Sequence, residues 1–157
     1  MQPAGIFALP FSTIKAGFPI LGNPFDYAST VKISESEFHY CFGNHLTPAE
    51  SKPLWERYSI PSVCHVLWEG ALGLLHPTTA GSAVSWDKAD RAPLLLIAGT
   101  KDHVVPQSVV EKEFKAYKGP AKVEYKVFEG RSHGIVNQKG WEEVADAALA
   151  FAEANIK

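Results

Sequence analysis

The sequence contains little cysteine and no excess of charge of one sign. Two cysteines, Cys41 and Cys64, are too few for a disulfide framework, and their apolar surroundings predict buried free thiols in a reducing, cytoplasmic environment. Fifteen Lys and Arg residues stand against 17 Asp and Glu, which gives a formal net charge of -2. No run of basic residues occurs, so we expect neither a nucleic-acid partner nor binding to an anionic membrane.

Long apolar runs, internal repeats and low-complexity segments are also missing from the sequence. Residues 1–20 carry no basic residue before their apolar stretch and are interrupted by Pro10 and Pro19, so we expect neither a secretion signal nor a membrane span there. What is present is a chain of 157 residues with 46% hydrophobic content, which is typical of one globular domain with a buried core.

Residues 92–157 alternate between strand and helix patterns. "APLLLIAG" is a continuous apolar run ended by Gly99, which is typical of a parallel strand buried on both faces. "QSVVEKEFKAY" has helical spacing, "AKVEYKVFE" has the two-residue period of a strand, and "GWEEVADAALAF" carries an apolar helical stripe. This order predicts an α/β fold with right-handed crossovers and a parallel sheet.

Residues 1–90 instead predict short helices rather than strands. Ser34 with Glu37, and Thr47 with Glu50, are capping-box patterns at the start of two helices. Pro61 is expected to open a third helix, and residues 76–91 read as a polar connection to the sheet. A parallel sheet of two strands is not expected to be stable alone. We therefore expect further strands upstream of Met1, or from another copy or another chain.

The polar residues that follow the two predicted strands are the main candidates for chemistry. Asp102 lies in "GTKDHVVP", directly after the first strand, and His133 lies in "EGRSHG", after the second. Because parallel strands end at the same edge of a sheet, the two side chains are expected to lie close together. The carboxylate would then orient the imidazole. The alternatives are that Asp102 caps a helix or binds loop amides, and that His133 makes an ordinary loop hydrogen bond.

At these residues the chain resembles the α/β-hydrolase family. The matching pattern is Gly99, Asp102, Val105 and Pro106, then His133 followed by glycine. The resemblance implies that residues 84–157 are the C-terminal part of the hydrolase core, with its parallel sheet. Residues 1–83 would be the preceding, mostly helical cap segment, and "ESEFHYCFGNHLTPAESKPLWERY" is similar to caps of lysophospholipase or esterase-like members.

The resemblance implies hydrolysis of a carboxylic ester or related acyl bond in the intact enzyme, with Asp102 as the acid and His133 as the base of a triad. The nucleophile of such enzymes sits in an elbow between a strand and a helix. We predict no such elbow here, because "GSAVSW" has the wrong spacing and Ser132, next to His133, is expected to point elsewhere. Met1 would fall just after the nucleophile's place. A missing Ser implies an esterase, whereas a missing Asp implies a haloalkane dehalogenase or epoxide hydrolase.

Two further interpretations concern binding. Phe42, Trp68, Val105 and Ile135 are the candidates for contact with a small-molecule substrate, although apolar helical stripes are more often plain core. His39, Cys41, His45, Cys64, His65 and His76 lack the spacing of zinc ligands, so we expect neither a metal nor a cofactor. The alternative from another class is a non-catalytic protein, truncated or domain-swapped as a homodimer, that binds through its cap and sheet edge.

Overall fold

A computed structural model describes residues 3–76 and 78–156, and in it the chain is 43% helical and 10% strand. The helices of these ranges are Phe11–Leu21 (α1), Glu35–Phe42 (α2), Pro48–Tyr58 (α3), His65–Gly73 (α4), Gln107–Ala116 (α5) and Glu142–Asn155 (α6). The strands are Thr30–Val31 (β1), Ser62–Val63 (β2), Leu94–Gly99 (β3) and Val123–Phe128 (β4).

The second half of the chain forms a small parallel sheet with helices. Strands β3 and β4 pair in parallel, in a register that runs from Leu94 opposite Val123 to Gly99 opposite Phe128. Helix α5 connects them and contacts both strands, and α6 follows β4. The predicted order of strand, helix, strand and helix is confirmed, and so is the parallel pairing.

The first half contains α1 to α4, and two of these helices begin as the sequence predicts. The Ser34 hydroxyl accepts from the Glu37 amide, and the Glu37 carboxylate accepts from the Ser34 amide. Thr47 and Glu50 make the same reciprocal pair at the start of α3. Each box satisfies two amides that the first turn of a helix leaves without a partner.

Two predictions are wrong, one about where a helix begins and one about the burial of a strand. The helix expected from Pro61 begins only at His65, because residues 62–63 pair antiparallel with residues 30–31 as β2 and β1. Pairing with a distant segment here overrides local propensity. Burial of β3 on both faces is also not found, since residues 94–97 are only partly buried. In the described part of the sheet β3 has β4 as its one strand neighbour, so its other edge is unpaired, and the partial burial of residues 94–97 shows that its faces are incompletely covered.

A compact cluster in the core joins the first residues of the chain to α5. Ala4, which lies in a turn, and Ile6 and Ala8, which follow it, are buried at alternate positions. Ile6 and Ala8 pack on Val109 of α5, which is fully buried. The described ranges contain no helix with the length and apolar character of a membrane span.

Candidate active site

The loops that follow β3 and β4 are bonded to each other at one edge of the sheet. The Lys101 amide donates to the Arg131 carbonyl at 2.9 Å, and the Gly130 amide donates to the Thr100 hydroxyl at 2.9 Å. Position 99 requires glycine, because a Cβ there would overlap the Arg131 carbonyl. This close approach holds the loop that follows β3 against the loop that follows β4.

Asp102 uses its two carboxylate oxygens for different tasks. Oδ1 accepts hydrogen bonds from the amides of Val104 and Val105, both at 2.8 Å. Oδ2 lies 2.8 Å from Nδ1 of His133. The side chain is only 12% exposed, so these bonds are shielded from water. The bond to loop amides and the bond to the histidine, which were alternatives at the level of sequence, are therefore both present.

His133 is held by one ring nitrogen. Because the carboxylate only accepts, Nδ1 carries the proton in its bond to Asp102, which leaves Nε2 of the neutral ring as the proton acceptor. No hydrogen bond reaches Nε2 from the residues that the structure describes. The side chain is 33% exposed, and its ring centroid lies 5.4 Å from that of Phe42. The ring orientation is therefore fixed through Nδ1, and Nε2 is left available to accept a proton.

A pocket of about 180 Å³ contains both members of the pair. Val105 and Ile135, which the sequence analysis singles out, line this pocket beside Asp102 and His133. Phe42 reaches the site by its contact with the imidazole. Trp68 lies on α4 and is not among the residues that line either this pocket or the larger apolar cavity described below.

Ser132 also lines the pocket, and it lies in a sequence pattern that the sequence analysis did not consider. "GRSHG", residues 130–134, has the letters G-x-S-x-G of a nucleophile motif. The structure does not make it an elbow, since turns follow and α6 begins only at Glu142. No described residue other than glycine has a positive φ, and Ser132 is only 1% exposed. The sequence therefore contains the G-x-S-x-G motif, but its backbone does not form a nucleophile elbow.

The hydroxyl of Ser132 is held by a histidine that the sequence analysis did not assign to the site. Ser132 Oγ is hydrogen-bonded to His45 Nδ1 at 2.9 Å, and it accepts from the Gly134 amide at 3.2 Å. Burial, followed by the positive charge of Arg131, lowers the pKa of His45, and the Glu50 carboxylate opposes this shift. His45 thus fixes the loop around His133 from the connection between α2 and α3. No local pattern signals a contact between residues so far apart in sequence.

Two more residues that sequence reasoning missed attach α2 to the Asp102 loop. His103 Nδ1 lies 2.9 Å from the Tyr40 carbonyl, and the two rings stack at 4.4 Å. The Asn44 amide group donates to the Lys101 carbonyl at 2.8 Å. Helix α2 and the residues after it therefore contact both loops of the site, so they determine the position of Phe42 over the imidazole.

The far side of the His133 loop is fixed by a buried guanidinium. Arg131 is 9% exposed and donates to the carbonyls of Lys139 and Gly140 at 2.6 and 2.7 Å. It also pairs with Glu143 in the first turn of α6 at 3.1 Å. The Arg131 guanidinium therefore binds groups at and just before the start of α6, and Arg131 is not among the residues that line the pocket of His133.

The remaining histidines and cysteines do not form a metal site. Among the described residues, no group of three His, Cys, Asp or Glu side chains comes together to hold an ion. Cys41 and Cys64 are free and buried, as predicted. Burial raises the pKa of Cys41 to about 11, so its sulfur stays a neutral thiol and is a poor ligand or nucleophile.

Chemically, the site combines an oriented base, a carboxylate fixed by backbone amides, and a small pocket beside them. It has no accessible serine in nucleophile geometry within the described ranges. No protein-family model matches the chain, and neither a curated protein nor a solved structure is significantly similar to it.

Proposed function

We propose that this chain supplies the acid and the base of an α/β-hydrolase-type site that cleaves a carboxylic ester or related acyl bond. The observation that carries the proposal is the 2.8 Å contact between Asp102 and His133, at the ends of two adjacent parallel strands. The wider fold assignment, with residues 84–157 as the C-terminal part of the core and residues 1–83 as its cap, belongs to the same proposal. It is supported by the strand order and by the position of α2 over the site.

The two residues have distinct roles in the proposed reaction. Nε2 of His133 removes the proton from the attacking hydroxyl as its oxygen forms a bond to the ester carbonyl carbon. When the carbon–oxygen bond of the ester breaks, the imidazolium returns that proton to the departing alcohol. A water molecule then repeats both steps on the acyl intermediate. Asp102 stays ionised throughout, and it holds the imidazole in the required tautomer.

The nucleophile is proposed to come from outside these 157 residues. Ser132 is the closest hydroxyl in sequence, but it is buried and its oxygen is already bonded to His45. A serine supplied by an upstream segment or another chain gives an esterase. An aspartate there gives a dehalogenase or epoxide hydrolase, in which His133 activates water. Reading the coding sequence upstream of Met1 for G-x-S-x-G or G-x-D-x-G distinguishes these two reactions.

The test on the chain itself is the turnover of p-nitrophenyl acetate, combined with intact mass spectrometry. We expect no burst of p-nitrophenol and no acetylated protein, because a base and its orienting acid cannot form an acyl intermediate at an oxygen that is absent. Ser132→Ala is the matched control and should change nothing. A burst that disappears in Ser132→Ala would overturn the proposal, since it would make Ser132 the nucleophile.

A second candidate function is non-catalytic binding through the sheet edge. It is favoured by one observation: within the described ranges β3 and β4 each have a single strand neighbour, while Val127 of β4 is 37% exposed. An open edge of this kind can pair with another chain. Under this alternative the loss of the His133 side chain leaves partner binding unchanged, whereas under the hydrolase proposal it abolishes turnover in the completed enzyme.

A further inference from the structure

A second cavity, of about 280 Å³, lies between α1, α2, α4 and the loop that carries Asp102. None of the described residues that line it is charged. Its polar side chains are the hydroxyl of Thr13, which donates to the Val104 carbonyl at 3.2 Å, and the buried thiol of Cys41. The hydroxyl is thus already used, so the cavity offers an incoming molecule an almost wholly apolar surface.

The space arises from small residues on facing helices. Ala16 and Gly17 of α1 and Gly70 and Ala71 of α4 all line the cavity, and α1 and α4 contact each other. Apolar cavities stay dry and take up apolar molecules, and one of about 150 Å³ already admits benzene. If a methylene group takes up about the liquid volume of a water molecule, roughly 30 Å³, this cavity of about 280 Å³ accommodates on the order of nine carbon atoms.

The cavity adjoins the Asp102–His133 pocket. Val105 lines both spaces, and Phe42 lines the cavity while its ring lies 5.4 Å from the His133 ring. The cavity therefore shares a lining residue with the pocket, and through Phe42 it reaches contact distance of the imidazole ring. Phe42 is the one aromatic side chain among the described residues of the lining, and these residues do not supply the paired rings that would favour stacking of an aromatic ligand.

We propose that this cavity binds an unbranched aliphatic chain of about nine carbons, with a carbonyl-bearing end at His133. The role of that chain as the acyl part of an ester substrate rests on the proposed function. The binding itself requires only the volume, the lining and the position of the cavity.

The test uses n-alkan-2-ones of six to fourteen carbons, which carry a neutral carbonyl and cannot be hydrolysed. Isothermal titration calorimetry on the full chain should show saturable binding with one site. Affinity should rise about fourfold for each added methylene, the equivalent of its burial, and then level off at about ten to eleven carbons when the cavity is full. Methyl NMR spectra should show the shifts concentrated at the residues that line the cavity, such as Ile20, Leu67 and Val105. The absence of saturable binding, or an affinity independent of chain length, would overturn the proposal.

Variants locate the site and separate it from catalysis. Ala71→Phe fills the cavity and should weaken binding at least tenfold, whereas Leu72→Phe adds the same ring next to it at a position 49% exposed and should not. Ala71→Val is the milder substitution if the larger ring prevents folding, and it should shorten the preferred chain. Equal binding by Ala71→Phe and Leu72→Phe would also contradict the proposal. Because the ketones cannot be hydrolysed, their binding reports on the cavity alone. A failed hydrolase proposal therefore leaves a positive binding result intact, and failed ketone binding leaves the pair of Asp102 and His133 untouched.

Discussion

At the scale of single residues, Asp102 both stabilises its own loop and orients the imidazole of His133. Asp102→Asn keeps an oxygen that can accept from the Val104 and Val105 amides, but its amide group donates to Nδ1 and so forces the wrong imidazole tautomer. We expect this variant to lie within about 1 kcal/mol of the parent in free energy of unfolding. The far-downfield NMR signal of the His133 Nδ1 proton should disappear.

Asp102→Ala is the matched comparison, because it removes both kinds of bond. Hydrogen bonds to a charged acceptor contribute about 1.5–3 kcal/mol, so the free energy of unfolding should fall by about 2–3 kcal/mol in denaturant titrations. If the two variants were equally stable, the amide bonds of Oδ1 would not hold the loop. If the proton signal survived in Asp102→Asn, the assigned orientation of His133 would be incorrect.

Gly99 is expected to be the least tolerant glycine of the site. A Cβ there overlaps the backbone carbonyl of Arg131, which cannot move without displacing the loop of His133. Gly99→Ala should lower the free energy of unfolding by about 1–3 kcal/mol, the usual range for overpacking. Gly81→Ala is the control, since a Cβ at Gly81 meets nothing within 4 Å, and thermal melts of the two variants should differ clearly.

At the scale of elements, the connection between α2 and α3 is attached to the site through His45. Its pKa is lowered, so between this pKa and the unfolded value of about 6.5 the unfolded chain binds more protons than the folded one. The contribution of His45 to stability is therefore complete above pH 6.5 and is lost as the pH falls through the folded pKa. The neighbouring charges are Arg131 and His39, which lower the pKa, and Glu50, which raises it.

Denaturant titrations at pH 7.5 and pH 5 test this link. The parent chain should lose more stability between the two pH values than His45→Gln, whose side chain can still bond to the Ser132 hydroxyl but does not titrate. The same loss in both proteins would exclude His45 as the source of the pH dependence.

The elements that sequence predicts well are those whose signals are local. Capping boxes and the apolar run of β3 each depend on a few adjacent residues, and both appear in the structure. The two-residue period of β4 appears over residues 123–126 but ends there, since Val127 is exposed and Phe128 is buried. The placement of Asp102 and His133 at one sheet edge follows from parallel order alone. The bond between His45 and Ser132 spans 87 positions and depends on how the helices pack. The β1–β2 pair and the apolar cavity have the same origin in packing, so neither could be predicted from local sequence.

At the scale of the whole molecule, much apolar surface is uncovered. Phe11 and Phe18 of α1 are 79% and 67% exposed, and Leu149 of α6 is 57% exposed. The parallel sheet has two strands in the described ranges, fewer than are usually stable alone. We therefore expect the isolated chain to self-associate as its concentration rises, because large exposed apolar patches favour contact between molecules.

Sedimentation velocity over a hundredfold range of concentration measures this association. Phe11→Gln and Leu149→Gln should each shift the distribution toward monomer, and Lys118→Gln, a change at an exposed polar position, should not. A monomer at all concentrations with a cooperative thermal transition would show that two strands with their helices suffice for a stable fold.

The divided use of the Asp102 carboxylate has a consequence for how this site would change under selection. The oxygen that binds two loop amides makes a side-chain acceptor at position 102, from aspartate or asparagine, important for folding independently of any chemistry. His133 has one side-chain hydrogen bond and a third of its side chain exposed, so folding depends on it less than on Asp102. In a random library sorted for folded protein alone, aspartate or asparagine should persist at position 102 while position 133 becomes varied.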